Sequence, residues 1–457
     1  MATAVTASVV SRTLQDTEVK QKLQELRRPD NVRNLLYLVR TYLLLIATVA
    51  GTVYFYTHRA DWGLNWAWNV PVTFLATVLV GMGQHQLSVL THEASHHILF
   101  RTRLYNELMS DVFCMFPMFS TTHHYRMQHV AHHQFVNDPE LDPNVPQLTV
   151  NGHWTRFPMT RATFWRELAK QVWPPNLIRY LRAQAKSNSV GAQANPYLQP
   201  ALNPRGNRFA RAAGVAYLFI LTYGLLALAL LGWAEWIVPL ALVAWLAIGA
   251  LYVSAPSGWF FRTRIHPTYP IRWLSILRIT SFTLFAVGLA WLTAIYGWRA
   301  ILVVTLLWFV PMATSFSFFM MMRQLVQHAN AGRGFLSNTR VFLVNLFWRD
   351  SILPYGQDYH LPHHMFATIP HYRLRELHEF LMTYPEYRDE AVVVHGAVLS
   401  RSGHYPSIVD VLGPDWDRRR GSAHIDNSVL DDEAVDERGE IDRIAAASAG
   451  RTEPPVS

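Results

Sequence analysis

Hydrophobic residues in this chain are concentrated in six long runs separated by polar segments. The runs cover approximately residues 37–56, 70–90, 210–233, 236–253, 279–296 and 300–322. Each is close to the roughly 20 residues that a helix needs to cross the hydrocarbon core of a bilayer, where a helix satisfies its own backbone hydrogen bonds. The pattern predicts an all-α integral membrane protein with about six transmembrane helices arranged as three hairpins.

The polar segments between and beyond these runs predict the domain organisation. We expect residues 1–34 to form a cytoplasmic N-terminal segment, 35–400 a membrane domain with a cytoplasmic helical cap, and 401–457 a largely disordered tail rich in charged and small residues. The prolines of residues 137–210 predict a long irregular loop with one or two amphipathic helices, for example near residues 164–172.

Composition and charge support a membrane protein and orient it. Hydrophobic residues make up 51% of the chain and charged residues 16%, well below the usual quarter. Of the 40 Lys and Arg residues, only Arg59 and Arg299 fall in the short loops between paired runs, which leaves 38 on the other side or at its edge. The positive-inside rule places that side, with both termini, in the cytoplasm. The net charge of +8 therefore indicates topology and attraction to anionic lipids, and no nucleic-acid partner.

Histidines are strongly clustered between the second and third runs. Eight occur in the 42 residues from His92 to His133, where about two would be expected from the composition. Three sets have helical spacing: His92 and His96 are i,i+4, whereas His129, His132 and His133, like His360, His363 and His364, are i, i+3, i+4. Each set lies on one face of a helix, and convergent imidazoles suit a metal such as iron or zinc. The single cysteine, Cys114, excludes a Cys-rich metal site.

A ninth histidine, His328, lies about two turns beyond the sixth run, with Gln324 one turn earlier on the same helical face. Nine imidazoles exceed the needs of one metal, whereas two adjacent metals would take four or five each. His97 is a possible tenth ligand or a residue behind the ligands, and His123 and His124 are weaker candidates for that outer role. The acidic residues available to orient the ligands are Glu93, Asp138, Glu140, Asp142 and Asp358. Pro362 is compatible with the first turn of a helix that Asp358 would cap.

The three histidine sets resemble those of the integral-membrane fatty acid desaturases and hydroxylases. The matching motifs are His92-Glu-Ala-Ser-His96-His97, His129-Val-Ala-His132-His133 and His360-Leu-Pro-His363-His364, followed by Ile369-Pro370-His371-Tyr372-Arg373-Leu374. The resemblance covers roughly residues 35–390. It implies a nonheme centre of two iron ions that uses O2 to oxidise an unactivated C–H bond of a long acyl lipid.

The resemblance also implies roles for single residues and for partners. An isolated histidine before the third box is a ligand in that family, which corresponds to His328, and a polar residue one turn earlier can hold a metal-bound water, which corresponds to Gln324. Asp358 departs from the Asn found in many relatives. The chain has neither the His-Pro-Gly-Gly motif of a fused cytochrome b5 module nor a Cys-rich ferredoxin segment. A separate electron carrier of the ferredoxin or cytochrome b5 type is therefore expected.

Several alternative functions remain open at this point. Desaturation is the favoured reaction, but hydroxylation, ketolation or decarboxylation of a fatty or carotenoid-type substrate would use the same boxes. His92-Glu93-x-x-His96 also matches the motif of zinc proteases, although that function leaves the other boxes and His328 unexplained. A metal transporter is disfavoured because the boxes lie outside the apolar runs.

Overall fold

The computed structural model describes residues 13–416, apart from 151, 153–155, 191–194, 196, 198–206 and 401–402. The described chain is mostly helical. Six helices are long and apolar enough to cross a membrane: Asn31–His58, Trp66–Ser95, Arg208–Leu230, Ala234–Ser254, Ile271–Tyr296 and Trp298–His328. The prediction of a helical protein with six apolar helices is confirmed, whereas the hairpin arrangement and the cytoplasmic side stay predictions.

The first three helices are α1 (Thr17–Leu26), α2 (Asn31–His58) and α3 (Asn69–Ser95). The segment between the second and third apolar runs contains α4 (Arg103–Ser110), α5 (Thr122–Gln134), α6 (Asn144–Thr149), α7 (Arg161–Gln171) and α8 (Pro174–Val190). The predicted amphipathic helix near residues 164–172 corresponds to α7. The following α8 begins at a proline, which costs little in the first turn because the N–H there has no helical partner.

The second half of the apolar region comprises α9 (Asn207–Leu230), α10 (Ile237–Ser254), α11 (Ile271–Tyr296), α12 (Trp298–Val304) and α13 (Ser317–His328). Two π-helical turns, Thr305–Phe309 and Met312–Phe316, join α12 to α13 in one long helix. α3 packs along α2 and against these π turns, whereas α9, α10 and α11 pack on one another. α3 and α13 therefore emerge side by side from the apolar region.

The chain after α13 forms short elements around the ends of these helices. They are β1 (Val341–Leu343), α14 (Leu346–Ser351), α15 (His360–Met365), α16 (Leu374–Leu381), α17 (Pro385–Glu390), β2 (Val393–His395) and α18 (Ile408–Val411). β1 and β2 pair in parallel, with Val341 opposite Val393. This pairing returns the chain to the side of α15.

Both ends of the described chain pack into this region. Val19 and Leu23 of α1 belong to the same buried cluster as Leu377 of α16. Residues 403–416, at the start of the segment predicted to be a largely disordered tail, pack on the rest of the chain. Ile408 and Leu412 are buried, and the Leu412 carbonyl accepts a hydrogen bond of 3.0 Å from the Met159 N–H. The remaining tail, 417–457, and residues 1–12 lie outside the described residues.

Candidate metal centre

Five histidines from three helices converge in a first group: His92, His96, His129, His133 and His363. Each histidine contributes one ring nitrogen, and these five nitrogens all lie within 4.8 Å of one another. The Nε2 atoms of His96 and His129 are 2.8 Å apart, and those of His133 and His363 are 3.2 Å apart. We call these five residues the five-histidine group.

Four further histidines form a second group: His132, His328, His360 and His364. His328 Nε2 lies 3.2 Å from His132 Nε2 and 3.1 Å from His360 Nε2, and the latter is 3.1 Å from His364 Nε2. The rings of His133 and His364 stack with centroids 4.2 Å apart, so the two groups adjoin. We call these residues the four-histidine group. All nine histidines predicted from the sequence are brought together in these two groups, whereas their role as metal ligands stays a prediction.

Local structure explains how the short elements present these side chains. α3 ends where His97 adopts a left-handed φ of 59°, so His92 and His96 lie at its buried C-terminal end. α5 begins at Thr121, whose hydroxyl accepts a hydrogen bond from the His124 N–H. α15 carries Pro362 in its first turn, as predicted.

The proposed cap of α15 is wrong. Tyr359 rather than Asp358 occupies the N-cap position, and no side chain caps the helix there. The Asp358 carboxylate instead forms an ion pair with Arg349, whose Nε lies 3.1 Å from Asp358 Oδ2. Burial raises the pKa of Asp358 to about 6, and the neighbouring Arg349 opposes that shift.

The chemistry of both groups fits metal ions. Two imidazole nitrogens bound to one ion at about 2.1 Å and at right angles lie about 3.0 Å apart. The Nε2 separations of 2.8–3.2 Å agree with this value. In the neutral tautomer that carries its proton on Nδ1, each converging Nε2 presents a lone pair, and a cation between these lone pairs removes their mutual repulsion.

The protonation state of the histidines agrees with this role. Burial, followed by the neighbouring charges, lowers the pKa well below its ordinary value in five histidines outside the apolar helices. They are His129, His133, His360, His363 and His364. Neutral imidazole is the form that binds metals.

Several ligand candidates have a partner on the nitrogen that faces away from the group. His132 Nδ1 lies 3.0 Å from both carboxylate oxygens of Asp142, and His328 Nδ1 lies 3.3 Å from the Asn338 carbonyl. His92 Nδ1 lies 3.2 Å from Glu93 Oε1 and 3.3 Å from Gln357 Nε2. Such contacts fix the orientation of the ring and leave Nε2 for a metal.

The remaining candidates lie outside the two groups. His97 belongs to neither. His123 Nε2 contacts Thr263 Oγ1 at 2.9 Å, and His124 packs edge-on against Phe261. Asp138 pairs with Arg333, so the carboxylate behind a ligand is Asp142 rather than Asp138. Glu140 lies in an exposed turn, where its N–H donates to Asp138.

The surroundings of Glu93 bear on the zinc-protease alternative. Its carboxylate contacts His92 Nδ1 and accepts a hydrogen bond of 2.8 Å from the His371 N–H. A general base must instead face the metal-bound water. Glu93 therefore lies behind a ligand, and the geometry disfavours a zinc protease.

On one side of the two groups, sequence reasoning identified Gln324 but missed Arg323 and Tyr180. A polar cavity of about 30 Å³ lies there, lined by members of both groups together with Arg323 and Gln324. Gln324 Oε1 accepts a hydrogen bond of 2.6 Å from the Tyr180 hydroxyl. Arg323 was detectable in the sequence as a cation at the end of an apolar run, whereas Tyr180 lies on α8, for which the sequence carried no site signal.

Comparison with known proteins connects this geometry to a family. The Fatty acid desaturase family model matches residues 71–254 and 245–394. Dihydrorhizobitoxine desaturase of Bradyrhizobium elkanii is 30% identical over 159 residues, which cover 35% of this chain and 40% of that protein. Delta(8)-fatty-acid desaturase of Euglena gracilis is 36% identical over 95 residues, which cover 20% of this chain and 21% of that protein.

The matched segments span less than half of either relative, both of which are named as desaturases. The family model matches far more of the chain, and its two segments together include all nine clustered histidines. On that match, the chain belongs to the fatty acid desaturase family.

Proposed function

We propose that this protein is an oxidoreductase that introduces a double bond into a long acyl chain, using O2 and two histidine-bound iron ions. The observation that carries the proposal is the convergence of nine histidines into adjacent groups of five and four. Family membership supports the desaturase class of reaction.

In this proposal, iron bound at the two groups would supply O2 activation and the oxidation of an unactivated C–H bond. The protein's own residues hold that chemistry in place. The nine histidines would bind the two iron ions. Asp142, the Asn338 carbonyl and Glu93 would fix the orientation of the His132, His328 and His92 rings, respectively. Gln324, next to the four-histidine group, is the candidate for holding a metal-bound water.

The electron balance of desaturation requires a further partner. Removing two hydrogens from the substrate releases two electrons, whereas reducing O2 to two waters takes four. Two more electrons must therefore come from a donor, which we propose to be a separate ferredoxin or cytochrome b5 type protein. The basic side of the chain would attract an acidic carrier.

We also propose that the six apolar helices form three membrane hairpins with the histidine groups and both termini in the cytoplasm. The support is the charge asymmetry of the sequence, in which only Arg59 and Arg299 of the 40 Lys and Arg residues fall in the short loops and the other 38 fall in the segments of the histidine boxes and termini or at their edge. The helical layer around the boxes would then form a cytoplasmic cap, and residues 35–400 would make up the membrane domain.

The test combines metal analysis with product analysis. The full chain is purified in detergent for iron and zinc content, and the lipids of the expressing cells are analysed by mass spectrometry. We expect about two irons per chain and a new double bond, whereas His132→Ala should lose the double bond and retain about one iron. His58→Ala is the matched control, because His58 lies at the opposite end of α2 from the histidine groups.

Other outcomes of this test would lead to different conclusions. Two irons with hydroxylated or shortened products would replace desaturation by another oxidation at the same site. A single zinc with unchanged lipids would contradict the proposal and restore the zinc-protease alternative.

A further inference from the structure

The polar cavity beside the histidines borders both metal-binding groups. Its wall includes His92 and His129 of the five-histidine group and His132, His328 and His360 of the four-histidine group. Its volume of about 30 Å³ exceeds the roughly 10–15 Å³ that one water requires. A ligand group of a few atoms held there would lie next to both metals.

The rest of the wall is unsuited to an alkyl chain. Six of the 14 lining residues are glutamines, and one is an arginine, Arg323. Among the described residues that line the cavity, none has an aliphatic side chain. Sites for apolar ligands are lined mainly by hydrophobic and aromatic side chains. The cavity therefore suits the polar part of a substrate.

Several polar atoms at this wall are buried and unsatisfied. Arg323 is 5% exposed, and its Nη1 has no hydrogen-bond partner among the described residues. Gln147 is 2% exposed, and neither its Nε2 nor its Oε1 has a hydrogen-bond partner among the described residues. Oε1 of Gln184 also has none. Buried polar groups in native proteins are almost always hydrogen-bonded, so these atoms indicate a ligand or ordered water.

Arg323 determines the charge of that ligand. The described residues provide it with a hydrogen bond to Tyr125 but with no ion pair. A buried guanidinium without a carboxylate is costly, and its fork of N–H donors matches the two oxygens of a carboxylate. The Gln147 amide adds a neutral donor on the same wall, and water beside Gln184 would satisfy its acceptor.

We propose that this cavity binds the carboxylate of the substrate, with Arg323 as the principal substrate-binding residue and Gln147 as a second donor. The substrate is then a carboxylic acid presented with its charged group beside the metals, and the oxidised bond lies near that carboxyl end. The statement about which bond is oxidised rests on the proposed function, whereas the statement that a carboxylate binds rests on the cavity alone.

Binding is tested without turnover on the full-length protein in detergent. Dissociation constants for octanoate, octanamide and acetate are obtained from the dependence of the unfolding midpoint on ligand concentration. Octanamide has the same chain and a neutral head group, and acetate has the charge without the chain. We expect octanoate to bind at least about tenfold more tightly than octanamide, because charge-assisted hydrogen bonds are the stronger ones.

Three variants test whether the cavity is responsible for the preference for octanoate over octanamide. Arg323→Gln is expected to abolish the preference for octanoate over octanamide, and Gln147→Leu to reduce it severalfold. Gln171→Leu is the matched control, because Gln171 is also buried with an unsatisfied Oε1 but does not line the cavity. Since Gln147 is uncharged, its variant keeps the test decisive if Arg323→Gln fails to fold.

The outcomes separate this inference from the proposed function. Equal binding of octanoate and octanamide, or acetate binding as tight as octanoate, would overturn it and leave water or an adventitious anion in the cavity. A preference for octanoate that disappears in Arg323→Gln or falls severalfold in Gln147→Leu would support it even in protein without desaturase activity. Conversely, a desaturase with two irons and no such preference would keep the proposed function and refute the carboxylate site.

Discussion

The five-histidine and four-histidine groups draw on the same two boxes in different ways. From His129, His132 and His133, the i,i+4 pair enters the five-histidine group and His132 enters the other. From His360, His363 and His364, the i,i+4 pair enters the four-histidine group and His363 enters the other. Residues four apart on a helix differ by about 40° in direction, whereas the residue at i+3 points about 60° to the other side.

The difference explains why two boxes have three histidines and one has two. An i, i+3, i+4 set divides between two neighbouring sites, whereas the i,i+4 pair of His92 and His96 serves one site. His328, alone on α13, then completes the four-histidine group. The spacing of each box thus indicates which of the two histidine groups each histidine joins.

The largest effects are expected from removing one ligand candidate in each group. His328→Ala leaves three histidines in its group, whereas His133→Ala leaves four in the other. We expect His328→Ala to retain about one iron per chain and His133→Ala to retain closer to two. Both should lose activity by more than the roughly 10–100-fold typical of residues behind the ligands. Iron analysis of purified protein and product yield measure the two effects.

A result in which both variants lose both irons would show that the two groups bind metal as one cooperative unit. In that case the division into separate groups of five and four would be wrong, although the ligand set would stand.

A smaller effect is expected at the carboxylate behind the four-histidine group. Asp142→Asn keeps the shape of the side chain but removes the charge that faces His132 Nδ1 at 3.0 Å. We expect metal affinity in this group or activity to fall about 10–100-fold. Asp138→Asn is the matched control, because Asp138 lies in the same loop and pairs with Arg333 instead. Equal losses in both variants would assign the effect to the loop rather than to His132.

The corresponding carboxylate of the five-histidine group should matter less. Glu93 faces His92 Nδ1 through one oxygen at 3.2 Å, and Gln357 shares that nitrogen. We expect Glu93→Gln to reduce activity by about tenfold or less. Complete loss of activity with unchanged metal content would contradict this role and would favour Glu93 as a general base.

The smallest effect concerns a buried carboxylate outside both groups. Asp111 accepts a hydrogen bond of 2.7 Å from the Thr122 N–H, and burial, followed by the charge of Glu107, raises its pKa to about 6. The folded protein therefore retains this proton to a higher pH than the unfolded chain does. Its contribution to the free energy of unfolding falls as pH rises from about 4 to about 6.

Asp111→Asn should remove that pH dependence and change the unfolding midpoint by about 1–3 °C near neutral pH. Midpoints measured in detergent across this pH range test it, with metal content as the control that should not change. A midpoint whose pH dependence is the same as in the unaltered protein would contradict the raised pKa.

The sequence predicted the elements whose signals are local. Six apolar runs indicated six helices, and the i,i+4 spacing of His92 and His96 indicated one helical face, because both signals depend on neighbouring residues only. His328 was recognisable from its position about two turns beyond the sixth apolar run and from the family resemblance. The convergence of the boxes followed from the expectation that all lie on one side of the membrane.

Features that depend on distant contacts could not be predicted. Asp142 rather than Asp138 faces His132 because the chain turns after α5, and no local signal distinguishes the two carboxylates. Asp358 was assigned as a cap from its position, but its pairing with Arg349 depends on how α14 packs. The same holds for residues 403–416, whose few apolar side chains become buried only against the folded protein.

α3 connects the apolar region rigidly to the metal centre. Its 27 residues span about 40 Å, longer than a hydrocarbon core of about 30 Å, and His92 lies in its last turn. A helix that exceeds the bilayer tilts, and the tilt decreases as the bilayer thickens. α5 belongs to no span but packs along α3, so such a tilt would carry the histidines of α5 together with His92. The thickness of the host membrane would then set the angle at which the histidine groups face the bilayer surface.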